Sequence, residues 1–203
     1  VYVRKTEVHL FRQGYQTAKR VFDITVSLLA LPLFLMLIGV IALAIYINDP
    51  GPIFFKQQRT GKGGKRFGMY KFRTMVSDAE KSTGPVMCRP NDPRITRLGR
   101  ILRRLSIDEF PQLFNVLVGE MSMVGPRPER PAFVKEFKER IPKYMLRHKV
   151  KSGITGWAQI HGLRQDTSID KRIEYDIYYI EKWSLLLDFA ILWKTLRKGF
   201  IDR

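Results

Sequence analysis

The longest apolar stretch of the chain lies near its amino-terminal end. Residues 24–47 carry no charged side chain, and Pro32 lies among them. As an α-helix, this stretch would reach about 36 Å, which is enough to cross the hydrocarbon core of a bilayer. Pro32 removes one backbone hydrogen bond and favours a kink. The pattern predicts a membrane helix over residues 21–49.

Basic residues flank this stretch on both sides. Lys19 and Arg20 precede it, and five further cations follow within residues 56–66. Cytoplasmic segments beside membrane helices are enriched in Lys and Arg, so both ends are expected on the cytoplasmic side. A re-entrant helix, broken at Pro32 and returning to the face that it entered, satisfies both observations. A straight membrane span and a buried helix of a soluble protein are the alternatives.

A β-hairpin is predicted directly after the membrane helix. Residues 53–55 are apolar, residues 60–65 form a glycine-rich basic turn, and residues 67–75 have the pattern of a returning strand. Lys71 and Arg73 are two residues apart, so both are expected on one face of that strand. A solvated strand face is the alternative to a binding role for these two cations.

Helical periodicity dominates the rest of the chain. The predicted fold class is therefore α+β: mostly helical, with a re-entrant membrane helix, a small β-hairpin and amphipathic helices at the membrane interface. Residues 1–20 are expected to form an interfacial segment, with an ordinary packing helix as the alternative. The predicted helices cover residues 95–105, 107–118, 131–140, 170–181 and 183–200.

The high positive net charge of the chain indicates a negatively charged binding partner. The 203-residue chain has 36 Lys and Arg residues against 19 Asp and Glu residues, a formal net charge of +17. Such a charge favours a nucleic acid, an acidic lipid surface or a phosphorylated substrate. The uninterrupted apolar stretch argues against a soluble nucleic-acid-binding module. Cys88 is the single cysteine, which excludes an intrachain disulfide framework, and the cysteine and three histidines lack zinc-site spacing.

Two adjacent carboxylates, Asp108 and Glu109, are the strongest candidates for chemistry. Carboxylates near guanidinium groups suit an anionic substrate whose charge is neutralised partly by arginine and partly by a metal. A carboxylate can also act as a nucleophile and hold a phosphoryl group covalently. The alternative is structural, because Ser106 and Glu109 fit a capping box at a helix start. The nearby arginines are Arg100, Arg103, Arg104, Arg127 and Arg130.

A proline-flanked arginine follows the acid pair. Pro126 and Pro128 lie on either side of Arg127. Each proline biases the residue before it towards extended backbone, so the guanidinium is presented on a stiff loop. Such a loop suits a phosphate clamp, and a helix cap does not require it.

Several motifs, in one order along the chain, resemble the bacterial sugar transferases, which are monotopic polyprenyl-phosphate phosphoglycosyl transferases. The likeness covers residues 19–196 and is strongest to the undecaprenyl-phosphate glucose phosphotransferase branch. The motifs are Pro-Gly-Pro-Ile-Phe-Phe-Lys-Gln at 50–57, Tyr-Lys-Phe-Arg-Thr-Met at 70–75, Ser-Ile-Asp-Glu-Phe-Pro-Gln-Leu-Phe-Asn-Val-Leu at 106–117, Gly-Pro-Arg-Pro at 125–128 and Gly-Ile-Thr-Gly-Trp-Ala-Gln at 153–159.

The resemblance implies a reaction. Asp108 would attack the β-phosphate of a UDP-sugar, UDP-glucose in this branch, and release UMP. The sugar phosphate would then pass from the aspartyl intermediate to undecaprenyl phosphate, the first membrane step of exopolysaccharide, capsule or lipopolysaccharide O-antigen synthesis. The implied cofactor is Mg²⁺, held by Asp108 and Glu109, and Glu109 would assist with the metal or with proton transfer. The implied phosphate-binding residues are Arg103, Arg127, Lys71 and Arg73.

The resemblance also implies where the protein works. Residues 50–203 would form a cytoplasmic catalytic domain on the inner face of the bacterial cytoplasmic membrane, beside anionic lipids and without a nucleic-acid partner. Homo-oligomerisation is compatible with this assignment. Members of the branch commonly carry further amino-terminal membrane helices. This sequence does not include them, so it is expected to be an isolated catalytic module. The alternatives are a basic, membrane-bound binding module without catalysis and a hydrolase of the same diphosphate.

Overall fold

The computed structural model describes residues 13–81, 84, 86, 88, 92–163 and 167–198. These residues form a mostly helical α+β fold with a small hairpin, which confirms the predicted fold class. The helices are α1 Gln13–Asn48, α2 Arg97–Arg104, α3 Gln112–Val118, α4 Pro131–Arg140, α5 Trp157–Ile160, α6 Ile169–Lys182 and α7 Leu185–Lys198. The strands are β1 Phe54–Thr60, β2 Arg66–Phe72, β3 Met121–Val124 and β4 Ser152–Thr155. Three 3-10 segments cover Lys62–Gly64, Ile107–Glu109 and Tyr144–Lys149.

Helix α1 carries the long apolar stretch. It runs without interruption through Pro32, so the expected break does not divide it into two helices. The fixed φ of proline is itself helical, and Pro32 removes only the hydrogen bond to the carbonyl of Leu28. The segment Gly14–Asn48 is long and apolar enough to cross a membrane, and only 17% of its most apolar window is buried. Most of the surface of α1 is therefore not covered by the described part of the chain.

Both ends of α1 contact the same body of the protein. Near its start, Lys19 Nζ lies 2.7 Å from the Asp188 carboxylate in α7. Near its end, Ile41 and Ile45 belong to one apolar cluster with Phe72 of β2. The fully buried positions of α1 are Lys19, Phe22, Asp23, Ser27, Ile41 and Ile45. Their helical spacing means that one stripe of α1 faces this body while the opposite side is exposed.

The predicted β-hairpin is present. Strands β1 and β2 pair antiparallel from Phe54↔Phe72 to Thr60↔Arg66, and the 3-10 segment Lys62–Gly64 lies in the turn between them. Strand β2 ends at Phe72, three residues before the predicted end, so Arg73 lies just outside the strand. Lys71 is held within the paired part of the hairpin, which fixes its position beside the site described below.

A second sheet, of the parallel strands β3 and β4, is not apparent in the sequence pattern. Strand β3 has only four residues, and all of them are buried, including the polar Ser122, so it has no exposed face that would mark a strand in the sequence. The two strands pair from Met121↔Ser152 to Val124↔Thr155. A Cβ atom at Gly153 would lie 2.1 Å from the amide nitrogen of Gly125, and only glycine allows this approach. The close contact fixes the start of the loop over residues 125–130.

Four of the five predicted helices differ from the structure at their ends, among them the one over residues 170–181, which is Ile169–Lys182, and the one over residues 183–200, which begins at Leu185. The segment predicted as one helix over residues 107–118 is a 3-10 turn followed by α3, which begins only at Gln112. Helix α2 begins after Thr96, whose hydroxyl accepts a hydrogen bond from the Gly99 amide at 2.9 Å. Helix α4 has the predicted bounds. The last residues of the segment predicted over 183–200, and residues 1–12 of the predicted interfacial segment, lie outside the described residues.

Candidate active site

The acid pair lies on a 3-10 turn instead of a regular helix start. Ser106 adopts the left-handed conformation, with φ 56° and ψ 16°, and its side chain makes no capping hydrogen bond. A capping serine needs non-helical, typically extended, backbone, so the capping-box interpretation is wrong. The turn directs both carboxylates into the protein, where Asp108 is 4% exposed and Glu109 is 5% exposed.

Glu109 is held between two cations. Its Oε1 accepts a hydrogen bond from Lys71 Nζ at 2.9 Å. Arg127 donates from Nη1 to Oε2 at 3.2 Å and from Nη2 to Oε1. Two parallel bonds from one guanidinium to one carboxylate are the strongest geometry available to this pair. Glu109 therefore fixes the positions of a lysine from β2 and of the arginine on the Gly125–Pro128 loop.

Asp108 lies near the same lysine. Its Oδ2 is 4.0 Å from Lys71 Nζ, which is farther than the 2.9 Å from Lys71 to Glu109. The lysine thus bonds Glu109 directly and adds a positive field at Asp108 without a direct hydrogen bond. A buried carboxylate beside a lysine, and one that the lysine does not cap, is suited to react with a phosphorus atom.

Burial and neighbouring charges shift the pKa values of the two cations of the site in opposite directions. Burial lowers the pKa of Lys71, and the positive charges of Arg127 and Arg59 act in the same direction, while Glu109 and Asp108 oppose them. Burial also works against the charged form of Arg127, but Glu109 and then Asp108 more than offset it, and the net pKa is raised. Arg127 is therefore a permanent cation held at one carboxylate.

Arg73 does not join the acid pair. Its Nη1 donates to Ser77 Oγ at 2.9 Å, and its Nη2 donates to the backbone oxygen of Asp49. The Asp49 carboxylate lies 3.7 Å from the same nitrogen. Arg73 thus fastens the end of α1 to the hairpin, while Lys71 contacts Glu109. The two cations expected on one strand face contact different parts of the protein.

Among the described residues, Arg103 contacts Thr74 and Cys88. From α2, its Nε donates to Thr74 Oγ1 at 2.8 Å and its Nη1 lies 3.2 Å from Cys88 Sγ. Thr74 directly follows Arg73, so the two arginines lie on either side of one short segment after β2. The structure brings together four of the six predicted site residues: Lys71, Asp108, Glu109 and Arg127.

A second group of buried charges, which the sequence analysis missed, lies behind Arg127. Arg147 Nη2 lies 2.7 Å from Asp176 Oδ2, and Glu129 lies 3.3 Å from Arg59 and 3.5 Å from Arg172. Burial, followed by nearby positive charges that Glu129 opposes, lowers the pKa of Arg59 to about 10. One signal was available: on α6, Arg172 and Asp176 occupy the positions that face the core together with Ile173 and Tyr179. Charges at such positions indicate a buried network.

The described residues offer a limited metal site. They contain no cluster of three or more His, Cys, Asp and Glu residues able to hold a metal ion. Both oxygens of Glu109 are engaged by Lys71 and Arg127. Mg²⁺ usually keeps several waters and binds through one or two carboxylates together with substrate phosphates. The residues therefore fit a magnesium ion that arrives with a phosphorylated substrate, and they do not form a cage that would hold the ion alone.

A family model described as bacterial sugar transferase matches residues 14–202. This match confirms the resemblance drawn from the motifs, and relatives named for undecaprenyl-phosphate glucose transfer support the branch. The match spans α1, the acid pair, the Arg127 loop and all later elements, so it includes every residue of the site described above.

Curated relatives are similar over nearly the whole chain. A UDP-N-acetylgalactosamine-undecaprenyl-phosphate N-acetylgalactosaminephosphotransferase of Aeromonas hydrophila is 46% identical over 90% of this chain and 44% of its own length. A UDP-glucose:undecaprenyl-phosphate glucose-1-phosphate transferase of Escherichia coli K12 is 45% identical over 91% of this chain and 40% of its own length. A sugar transferase of Bacillus subtilis, EpsL, is 44% identical over 91% and 88% respectively. The chain thus spans about two fifths of the first two relatives and most of the third.

Proposed function

We propose that this chain, which belongs to the bacterial sugar transferase family, moves a sugar 1-phosphate from a UDP-sugar to undecaprenyl phosphate and releases UMP. The observation that carries the proposal is the buried Asp108, 4.0 Å from Lys71, beside a Glu109 that holds Lys71 and Arg127 in place. Relatives named for this transfer, and one named for exopolysaccharide production, support an initiating role in exopolysaccharide synthesis.

The transfer is written as two displacements at one phosphorus atom. In the first, a carboxylate oxygen of Asp108 forms a bond to the sugar-bearing phosphorus, and the bridging P–O bond of the diphosphate breaks. UMP leaves with that electron pair, so no proton is needed. In the second, an oxygen of undecaprenyl phosphate attacks the same phosphorus, and the acyl-phosphate bond breaks. The Asp108 carboxylate is regenerated, and the product is the undecaprenyl diphosphate sugar.

The neighbouring groups neutralise the phosphate as it approaches Asp108. Lys71 has three N–H donors, and one of them binds Glu109, so the others can bind phosphate oxygens. Arg127 keeps 27% of its side chain exposed although two of its donors bind Glu109, so its free edge can meet the diphosphate. Glu109 acts as the anchor of both cations. Phosphoryl transfer depends mainly on such positioning and charge neutralisation.

We also propose that Mg²⁺ takes part, with Asp108 and Glu109 as the protein ligands that would hold it together with the diphosphate. When bound, the ion would neutralise phosphate charge in the way that phosphoryl-transfer enzymes use it. Arg73 and Arg103 are proposed as outer phosphate-binding residues, since Arg73 lies in the segment that follows β2 and Arg103 donates a hydrogen bond to Thr74 of that segment.

The membrane arrangement follows from α1 and α7. Both ends of α1 contact one charged body, so a helix crossing the bilayer would carry part of that body through the membrane. We propose a monotopic association instead, on the cytoplasmic face of the bacterial inner membrane. The exposed apolar residues of α7 recur at helical spacing and would lie in the interface: Leu186, Phe189, Trp193 and Leu196.

The reaction is tested with purified protein, Mg²⁺, undecaprenyl phosphate and either UDP-glucose or UDP-N-acetylgalactosamine. The expected result is UMP release that requires the lipid. Comparison of the two UDP-sugars shows which sugar is transferred, because relatives named for different sugars are equally similar to this chain, at 46% and 45% identity. Asp108→Asn should abolish release, while Asp170→Asn, at an exposed position of α6, should leave it unchanged. Full activity in Asp108→Asn would refute the mechanism and favour a role in binding.

The covalent step has its own test. Protein incubated with a UDP-sugar carrying a radiolabelled sugar, without lipid, should retain the label after denaturation. Hydroxylamine should remove the label, because it cleaves acyl phosphates, and undecaprenyl phosphate added before denaturation should also remove it. Lipid-dependent UMP release without any trapped label on the protein would support direct transfer between the two substrates.

A further inference from the structure

The loop that carries Arg127 is fixed along its backbone. The carbonyl of Pro126 accepts a hydrogen bond from the Gly153 amide at 3.0 Å, and the carbonyl of Glu129 accepts one from the Thr60 amide at 2.9 Å. These bonds tie the two ends of the loop to β4 and to β1. Between them lie two more carbonyls, those of residues 127 and 128, and no amide of a neighbouring strand reaches them within the described residues.

Two buried arginine side chains supply the missing donors. Arg147 Nη2 donates to the carbonyl oxygen of Arg127 at 2.8 Å. Arg59 Nη1 donates to the carbonyl oxygen of Pro128 at 3.1 Å. All four consecutive carbonyls from residue 126 to residue 129 therefore accept hydrogen bonds. Because these four carbonyls are all bonded, the backbone around Arg127 is held in a single place.

Arg147 forms an ion pair with Asp176 that is unusually well buried. Arg147 and Asp176 form an ion pair at 2.7 Å, with side chains only 1% and 3% exposed. A buried pair of this kind often stabilises a fold less than apolar side chains of the same volume would. Stability alone is therefore a weak reason for its presence. The pair does supply something that apolar residues lack, namely a rigid N–H donor aimed at the backbone of Arg127.

We propose that Arg147, held by Asp176, is a positioning residue for Arg127 in the transfer reaction, so the inference rests on the function proposed above. Arg147 touches no substrate and acts by fixing the carbonyl of Arg127. The guanidinium of that residue then reaches Glu109 and the incoming diphosphate at the correct distance. Displacement of a phosphate-binding group by about 1 Å can slow a reaction roughly 100-fold.

The test replaces the charged pair by apolar residues of similar size, in the double variant Arg147→Met/Asp176→Leu. Because the two charges are removed together and only the carbonyl of Arg127 loses a donor, this variant should fold, with a Tm lowered by only a few degrees. Its kcat for UMP release should fall by about tenfold or more. The matched control is Arg140→Met/Glu136→Leu, an arginine–glutamate pair on α4 with side chains 60% and 58% exposed, and its kcat should not change.

A cycle with Arg127 separates positioning from a general structural role. In the Arg127→Met background, the Arg147/Asp176 substitutions should cause no further loss of kcat, because the group that they position is gone. Equal fold-losses in both backgrounds would show that Arg147 acts independently of Arg127 and would overturn the proposal. A double variant with wild-type kcat would overturn it as well.

One measurement does not depend on turnover. Hydrogen exchange of the amides in residues 125–130, followed by mass spectrometry, should be faster in the double variant than in the wild type. Unchanged exchange would refute the positioning role. If wild-type protein releases no UMP from any UDP-sugar while exchange responds as expected, the proposed function fails and the positioning of the loop stands.

Discussion

The substitution Glu109→Gln tests the idea that Glu109 keeps Lys71 away from Asp108. The lysine is 2.9 Å from Glu109 and 4.0 Å from Asp108. Without the charge on residue 109, Lys71 should move towards Asp108 and form a direct ion pair. At an effective dielectric constant of about 20, closing that distance from 4.0 Å to 2.9 Å strengthens the attraction by roughly 1.6 kcal/mol.

That energy must be overcome before Asp108 can attack phosphorus. A barrier higher by about 1.6 kcal/mol corresponds to a rate lower by roughly 15-fold. The expected result is therefore a loss of at least about tenfold in the single-turnover rate of UMP release, although Asp108 itself is intact. The assay is rapid mixing of the enzyme in excess with a labelled UDP-sugar.

The matched control is Glu136→Gln on α4. Glu136 also pairs with an arginine, at 3.4 Å, but its side chain is 58% exposed, so the substitution should leave the rate unchanged. A Glu109→Gln enzyme that releases UMP at the wild-type rate, with both proteins shown to be folded, would refute the reasoning. It would mean that Lys71 does not choose between the two carboxylates.

Three further predictions concern stability. Burial and then the charge of Arg147 lower the pKa of His148 to about 4 from 6.5, so the folded state binds this proton less well than the unfolded state. The stability associated with neutral His148 is therefore present above pH 6.5 and is lost as the pH falls towards 4, by up to about 3 kcal/mol, and His148→Gln should flatten that part of the denaturant-unfolding profile. Gln112→Met should raise the free energy of unfolding by about 1 kcal/mol, since Gln112 Nε2 is buried and finds no hydrogen-bond partner among the described residues; a loss of stability in urea titrations would contradict this. Asp188→Asn should remove the 2.7 Å ion pair of Lys19 and leave its longer one, 3.7 Å to Asp23, at a cost of about 1.5–3 kcal/mol, measured as a lower Tm together with faster proteolysis near the start of α1.

Local motifs made part of the site predictable. The acid pair is visible because two carboxylates stand together, and Arg127 is visible because two prolines bracket it. The role of Lys71 could be predicted because side chains alternate along a strand and the two strands of the hairpin are adjacent in sequence. Each of these features depends on interactions within a few residues, which is the range over which sequence patterns are informative.

The remainder depends on contacts between distant segments. Arg73 lies just beyond β2, and its direction is set by the end of α1, not by the strand. Arg147 and Asp176 are 29 positions apart, and nothing local indicates that they meet behind the Arg127 loop. Strand β3 was not predicted because it has only four residues and all of them are buried, including the polar Ser122, so no exposed face marks its period. The capping-box interpretation of Ser106 was wrong because the backbone of Ser106 is left-handed, and the residue type alone does not indicate this conformation.

The balance of charge at the site leads to a last prediction, on magnesium. The contacts described above connect five cations and four carboxylates: Lys71, Arg59, Arg127, Arg147 and Arg172 with Asp108, Glu109, Glu129 and Asp176. UDP adds about three negative charges to this cluster at neutral pH, and phosphoryl-transfer sites usually neutralise such charge with Mg²⁺ as well as with arginine and lysine. We therefore expect UDP to bind the wild-type protein about tenfold or more tightly with Mg²⁺ than with EDTA, as measured by calorimetry. Mg²⁺ alone should bind weakly, because Lys71 and Arg127 already occupy Glu109. Equal affinity for UDP in both buffers would mean that the arginines and the lysine neutralise the diphosphate without a metal, and it would remove Asp108 and Glu109 from the list of metal ligands.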